Sequence, residues 1–237
     1  MKLFYSFAQK VTELRLNSLP SLGRVLMFHQ IREISEYREP SLAITPDNFR
    51  KLISSLMERN YNFASPNSLL NLDGLNEKYV ILTFDDVFCE VYTIVLPFLR
   101  DRKIPFTIFV TVGLVGNEDY INETQLLEFG SYPLCTVGAH SMTHPILRPL
   151  AWDASYKELQ ESKITLENCL SRDICYLAYP YGSFYACSSK ETKLAEVIGF
   201  HLAFSTVNAH ISGVALKNSL FIPRIAVNDL NVQKMLM

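Results

Sequence analysis

The chain has no apolar run long enough to cross a bilayer, no excess of basic charge, no CxxC pair, no low-complexity linker and no internal repeat. Each absence removes a class of protein. The opening residues include Lys2, but Ser6, Gln9 and Lys10 break the apolar stretch, so neither a signal peptide nor a transmembrane segment is expected there. A net charge of −2 and a pI near 6.2 leave no basic footprint for nucleic acid or for an anionic membrane. Five cysteines, at positions 89, 135, 169, 175 and 187, are an odd number without regular spacing. They point to a reducing compartment and hence to a cytoplasmic location, with the inner membrane surface as its outer limit.

What the chain does have is a core. Its 237 residues are 49% hydrophobic and 12% aromatic, which excludes disorder and fits one domain over 1–237. Short apolar runs alternate with helical periodicities. Strands are expected at Val25–Phe28, Tyr61–Phe63, Tyr79–Phe84, Pro105–Val112, Leu134–Gly138, Ile174–Tyr179, Phe200–Ser205 and Phe221–Val227. Between them, helices are expected after Thr45-Pro46, at Ser68–Leu72, at Glu90–Arg102 with a bend near Pro97, at Glu123–Phe129 stopped by Gly130, at Asp153–Leu170, and at Glu191–Ile198 closed by Gly199. A polar loop with Glu33, Glu36, Arg38 and Glu39 precedes Ile44. Near the start, Leu3, Phe4, Phe7, Val11 and Leu14 share one helical face, expected to pack on the domain rather than to lie on a membrane surface. The alternation predicts a parallel α/β sheet or barrel, with its site after the strands.

The polar residues that follow strands carry the chemistry. Val80-Ile-Leu-Thr-Phe-Asp-Asp86 is an apolar strand ending in two carboxylates, which desolvation penalises unless something compensates. Alternation along a strand sends Asp85 and Asp86 in opposite directions, so one can hold a cation while the other faces a substrate. The alternative is an Asp capping the next helix beside a solvated neighbour. His140 and His144 stand four apart on a turn between Gly138 and Pro145. One carboxylate and two imidazoles make a common three-ligand set for a divalent ion.

Thr83-Phe-Asp-Asp86, His140-Ser-Met-Thr-His144 and Tyr179-Pro-Tyr-Gly182 resemble the successive motifs of the polysaccharide deacetylase family, the NodB-homology or carbohydrate esterase family 4 deacetylases. Leu26-Met-Phe-His29, Phe204-Ser-Thr206 and Ile222-Pro-Arg-Ile225 resemble the branch that includes bacterial poly-N-acetylglucosamine deacetylases. The resemblance covers about 24–227 and leaves 1–23 as a helical extension. It implies a distorted (β/α) barrel of the NodB-homology type and a divalent metal, most often zinc, with other first-row ions open. It also implies that Asp86, His140 and His144 ligate the metal, that Asp85 is the general base and that His29 protonates the leaving amine. The backbone N–H of Tyr181 would hold the oxyanion. Tyr179, Pro180 and Tyr181 are the candidate substrate-facing residues, Tyr181 foremost, with Phe184, Tyr185 and Trp152 as further aromatic supply.

The chain departs from the family pattern at three points. Ala178 stands where many members carry an arginine that orients the catalytic Asp, and Arg224 is expected to reach Asp85 from the last strand instead. Val87 replaces a frequent glycine after the acid pair and is expected to narrow the cleft. A late histidine is not evident. His210 is the alternative acid to His29, and His201 is expected in the core. The reading is a metal-dependent N-deacetylase of an N-acetylated sugar in cell-surface polysaccharide metabolism, with no nucleic acid partner. A silent carbohydrate-binding module of the same fold, or an enzyme for O-acetyl or non-sugar amide substrates, is the alternative.

Overall fold

The structure, a computed structural model, describes residues 2–33, 39–71 and 75–236. Glu36, Arg38 and Leu72 lie outside the described residues. In chain order the elements are α1 (Lys2–Asn17), β1 (Arg24–Phe28), β2 (Gln30–Ile31), β3 (Ala43–Ile44), α2 (Pro46–Glu58), β4 (Asn62–Ala64), β5 (Tyr79–Asp85), α3 (Leu96–Asp101), β6 (Phe106–Val110), α4 (Glu123–Ser131), β7 (Cys135–Ala139), α5 (Trp152–Leu170), β8 (Tyr176–Ala178), α6 (Ser189–Ile198), β9 (Leu202–Phe204), β10 (Ile225–Ala226) and α7 (Val232–Leu236).

Strands β10, β1, β5, β6, β7, β8 and β9 run parallel in that order. The ends of the sheet approach each other, because Ile222, just before β10, bridges to Phe204 of β9. Its N–H donates to Ala203 O and its carbonyl accepts from Ser205 N, both at 2.8 Å. The result is the distorted (β/α) barrel expected. Strand β4 shares the edge of β5 with β6 at a different height, pairing Asn62 to Ala64 with Tyr79 to Ile81.

Period-two alternation sorts the side chains. Leu26 and Phe28 of β1 and Val80, Leu82 and Phe84 of β5 face the helix layer, where Phe28, Phe49 and Phe84 meet ring to ring. Val25, Ile81, Phe109, Ala178 and Phe204 form a second cluster inside the barrel. Continuing the inward parity past the strand ends reaches His29, Asp85, Thr111 and His140. The barrel thus aims four polar side chains at one mouth.

Local signals account for most of the helices. Thr45 caps α2 by accepting from Asn48 N, Pro46 opens it, and Phe49, Leu52, Ile53 and Leu56 are buried, while Met57 is exposed. Ser188 and Glu191 form a capping box on α6, and Gly199 ends it at φ 87°. Before α3 the backbone widens to a π-helical turn, Val91–Val95, where Pro97 lacks the N–H that a regular helix would use.

Two expectations fail, at Gly130 and at α1. Gly130 does not stop α4, which runs on to Ser131; instead a Cβ there would stand 2.6 Å from Leu170 Cδ2, so this glycine permits close helix packing. On α5 the buried stripe is Ser155, Leu159, Ser162 and Leu166, whereas Tyr156 and Ile164 are exposed. Most consequentially, the apolar face of α1 points to solvent and its polar face packs on the barrel.

Gly138 of β7 faces inward, and a Cβ there would meet Phe109 Cε1 at 2.5 Å and Tyr176 O at 2.9 Å. Gly138→Ala is therefore expected to cost ~1–3 kcal/mol by overpacking, read as a lower urea midpoint at unchanged m-value.

Candidate active site

The site is assembled at the carboxyl ends of β1, β5, β7 and β8, closed from below by the segment before β10. Asp85 ends β5 and is buried. Arg224 lies wholly buried opposite it and donates from Nη1 to Oδ1 and from Nη2 to Oδ2, each at 2.7 Å. The same guanidinium donates from Nε to Ser205 O at 3.0 Å and from Nη1 to Thr83 Oγ1 at 3.2 Å. This fork–fork pairing fixes both oxygens of the carboxylate. Burial pushes the Asp85 carboxyl up, but Arg224, aided by His140 and His29, outweighs it and holds the group well below the usual carboxylate range. The arginine lacking at Ala178 is thus supplied from the other end of the chain.

Asp86, His140 and His144 come together on the solvent side. Their ligand atoms lie within 4.8 Å of one another. His140 Nε2 is 3.7 Å and His144 Nε2 3.5 Å from Asp86 Oδ1. A cation with ~2.1 Å bonds needs tetrahedral donor atoms about 3.4 Å apart, so a small inward movement would seat one. The tautomer is also set. His140 Nδ1 lies 2.7 Å from Ala178 O, which accepts its proton and leaves the Nε2 lone pair turned to Asp86. Burial lowers the His140 pKa to about 4 against the opposing pull of Asp85, so the ring is neutral at pH 7, as a metal ligand must be. The residues present fit a divalent cation.

The backbone here is held in an uncommon conformation. Asp86, Val87, Ser141, His144 and Tyr181 all have φ between 58° and 63°. Such left-handed residues cost of order 1–3 kcal/mol each and persist only where the surroundings fix them. Those surroundings are visible. Ser141 Oγ accepts from His144 N at 3.0 Å, and Glu158 of α5 accepts from Met142 N, Thr143 N and Thr143 Oγ1. Thr111 Oγ1 stands 3.2 Å from Asp86 Oδ1 and 3.3 Å from His140 O. Arg32 pairs with Glu90 and Asp119 and covers the Phe88 ring, which stacks on Tyr120.

The remaining candidates divide. His29 Nε2 lies 3.9 Å from Asp85 Oδ2, the same distance as His140 Nε2. His210 is engaged elsewhere, its Nε2 3.0 Å from Leu19 O and its N–H on Asn17 Oδ1. Tyr181 is 54% exposed, its ring 4.8 Å from that of His144. Thr206 Oγ1 donates to Tyr181 O at 2.7 Å, and the Tyr181 N–H makes no hydrogen bond among the described residues. Gly182 follows at φ 46°, where a Cβ would strike Thr206 N at 2.7 Å.

Tyr179 does not face a ligand. It is fully buried, with its hydroxyl donating to Leu220 O at 2.9 Å and its ring against Phe221, because the last residue before the turn still follows the outward parity of β8. Pro180 is buried beneath the turn and presents no surface either. Val87 points into the helix-side core, so it does not narrow the cleft. His201 is exposed just before β9 rather than in the core. Thr111 and Glu158 were not singled out from the sequence. Thr111 carried a signal, a polar residue directly after an apolar strand, but Glu158 is one of many acids on an exposed helix.

The family model for polysaccharide deacetylases matches residues 73–200, more than half of the chain, and the chain belongs to that family. A poly-beta-1,6-N-acetyl-D-glucosamine N-deacetylase of Staphylococcus aureus is 25% identical over 224 residues, which cover 86% of this chain and 73% of that protein. Among solved structures, IcaB from Ammonifex degensii matches with a TM-score of 0.79 at 25% identity, over 92% of this chain and 96% of that one. The Streptococcus pyogenes deacetylase PplD, solved in complex with acetate, gives 0.78 at 24% identity, over 90% and 97%. This chain spans 65% to 73% of the length of the curated relatives it matches.

Replacing Arg224 tests the pairing. Arg224→Gln leaves Asp85 ionised and unpaired in a dry site, and is expected to cost roughly 3–5 kcal/mol near neutral pH. In the parent the depressed Asp85 pKa contributes stability above the unfolded value near ~3.9 and loses it in stronger acid. In the variant that pKa rises, so the folded state gains a proton first and the gap to the parent narrows between about pH 7 and pH 5. Urea unfolding in EDTA at both pH values reads the change.

Proposed function

We propose that this chain is a metal-dependent N-deacetylase that releases acetate from an N-acetylated sugar of a cell-surface glycan. The observation that carries the reading is the Asp86–His140–His144 cluster, with donor atoms within 4.8 Å of one another, beside a buried carboxylate gripped by Arg224. Belonging to the polysaccharide deacetylase family supports the reaction class, and the Staphylococcus aureus relative supports poly-N-acetylglucosamine as the kind of substrate. Five free thiols suit a reducing compartment, where the substrate would be an intracellular precursor of that glycan.

Asp86, His140 and His144 would hold the ion, zinc first among the first-row metals that accept such donors. When bound, it supplies Lewis-acid polarisation of a carbonyl and lowers the pKa of water toward ~7. The protein's own groups do the rest. Asp85, ionised at neutral pH, takes a proton from the attacking water as the oxygen adds to the acetamide carbon. Its pairing with Arg224 keeps it a weak base, so the proton is passed on readily. His29, 3.9 Å from Asp85 Oδ2, delivers a proton to the amide nitrogen as the C–N bond breaks, giving acetate and an amine. The Tyr181 N–H is free to donate to the developing oxyanion. The exposed Tyr181 ring offers a flat face for the apolar side of a sugar.

Acetate release from N-acetylglucosamine oligomers, alongside elemental analysis, tests this. Asp85→Asn is expected to keep the metal and lose ~100- to 10,000-fold in turnover. Asp86→Ala and His140→Ala are expected to lose both metal and activity. Wild-type turnover by Asp85→Asn would remove the base from this scheme. EDTA is expected to abolish activity and added zinc to restore it. An O-acetylated sugar should be cleaved more slowly than its N-acetylated counterpart; the reverse ranking would assign the site to esters.

A further inference from the structure

Helix α1 is amphipathic in the reverse sense. Tyr5, Gln9, Glu13 and Asn17, four residues apart, form a polar spine that faces the barrel. Tyr5 Oη accepts from Arg148 Nη2 at 2.9 Å. Gln9 Oε1 accepts from Phe184 N, and Glu13 Oε1 from Asn208 N, each at 3.0 Å. Asn17 Nδ2 donates to Asn208 O at 3.0 Å, and its Oδ1 accepts from His210 N at 3.2 Å. These bonds fix the rotation of the helix about its axis. The opposite face then carries Leu3, Phe4, Phe7, Val11 and Leu14, exposed by 87, 68, 71, 49 and 65%.

That face is incongruous in water. A helix on a water-facing surface buries its apolar stripe and exposes its polar one, whereas here the polar groups are satisfied inside and two phenylalanines stand in solvent. At 100° per residue the five apolar side chains span about a third of the circumference, and Lys10 and Arg15 fall just beyond its two edges. The helix's sole acid, Glu13, is turned inward and buried. A net charge of −2 for the whole chain conceals a helix whose outer face is rimmed by Lys10 and Arg15 and bears no carboxylate, Lys10 standing 3.6 Å from the inward Glu13, while Lys2 lies back over the Tyr185 ring. Apolar anchors with lysine or arginine at the rim match the acyl–headgroup boundary, where long cationic side chains reach up to phosphates. No helix among the described residues is long and apolar enough to cross a membrane, so the fit is to lying on one.

We infer that α1 is an interfacial helix: its Leu3, Phe4, Phe7, Val11 and Leu14 face seats the protein on an anionic lipid bilayer, with Lys10 and Arg15 at the headgroups. The loops that α1 grips place this surface in the molecule. Phe184 lies three residues after Tyr181, and Asn208 two after Thr206, whose hydroxyl holds the Tyr181 carbonyl. A protein seated on α1 therefore has the loops adjacent to Tyr181 bonded to its lipid-bound helix. The inference is independent of the reaction assigned above, since it rests on no residue of the metal cluster.

Co-sedimentation of the full chain with vesicles tests it, using equimolar phosphatidylglycerol and phosphatidylcholine against phosphatidylcholine alone, with light scattering for oligomeric state. The protein is expected to sediment with the anionic vesicles and to be released by salt. Lys10→Gln with Arg15→Gln is expected to weaken partitioning roughly 30-fold, and Phe4→Ser with Phe7→Ser to abolish it. Neither pair should shift the melting temperature appreciably, because the four side chains are exposed and Lys10 gives up only a long ion pair with Glu13, and neither should alter acetate release from a soluble oligomer. Asp85→Asn should bind vesicles as the parent does, which separates failure here from failure of the catalytic reading. The inference is overturned if the parent stays in the supernatant, if Phe4→Ser with Phe7→Ser still sediments, or if these substitutions instead dissociate a dimer, which would make the face a contact between copies.

Discussion

A single buried ion pair holds this molecule's working end together. Arg224 lies in the link between the segment that bridges to β9 and the strand that pairs with β1, and it clamps Asp85 at the tip of β5. It thereby ties the tip of β5 directly to the place where the two ends of the sheet meet. Such a pair is no great source of stability, since the desolvation of two charges offsets much of their attraction. What it supplies is position. With both oxygens of Asp85 taken by the guanidinium fork, the carboxylate has one orientation, and Oδ2 stands 3.9 Å from both His29 and His140. The order of the strands makes this possible. β10 lies next to β1 and β1 next to β5, so an arginine at the start of β10 reaches across one strand.

The left-handed residues follow from the same geometry. An inward-pointing Asp85 means that Asp86, by alternation, would turn out toward the helices and away from any cation. Reversing it requires φ near 62° at Asp86 and 58° at Val87, which brings the Asp86 carboxylate back over the mouth. The histidine turn solves a similar problem. His140 inherits the inward parity of β7, but His144 comes back only through positive φ at Ser141 and at His144 itself. The unfavourable conformations are thus the cost of aiming three donors at one point, and Glu158, Thr111, Ser141 and the buried Val87 side chain hold them in place.

Much of this was legible in the sequence. An apolar strand ending in a carboxylate pair, two histidines around a turn and an arginine after a proline placed the strand ends that meet. Parity explains that success, since residues just past a strand keep its alternation. It also explains the failure at Tyr179, which sits on the outward parity despite its neighbour Tyr181 being exposed. His201 and Gly130 were misplaced because burial at an element's edge depends on what packs there, here the start of β9 and the Leu170 side chain. The face of α1 was identified as a stripe but assigned the wrong side. Periodicity shows that apolar residues share a face, but not which way it looks. That was decided by Tyr5, Gln9, Glu13 and Asn17, whose partners on Arg148, Phe184, Asn208 and His210 lie far away in the chain.

The helix and the catalytic mouth are therefore not separate devices. Glu13 accepts from Asn208, Thr206 two residues earlier holds the Tyr181 carbonyl, and Gly182 accepts from Thr206 N at 2.9 Å. Gln9 completes the circuit at Phe184. The strained Tyr181 peptide is thus fixed on one side by the barrel and on the other by a helix whose own orientation is set by these bonds. The Arg224–Asp85 pair leans on the same segment, because Arg224 donates from Nε to Ser205 O and from its backbone N–H to Val207 O, each at 3.0 Å. The loop 205–208 therefore supports both halves of the mouth at once: the arginine that holds the carboxylate bonds it at Ser205 and Val207, the Tyr181 turn at Thr206, and α1 at Asn208.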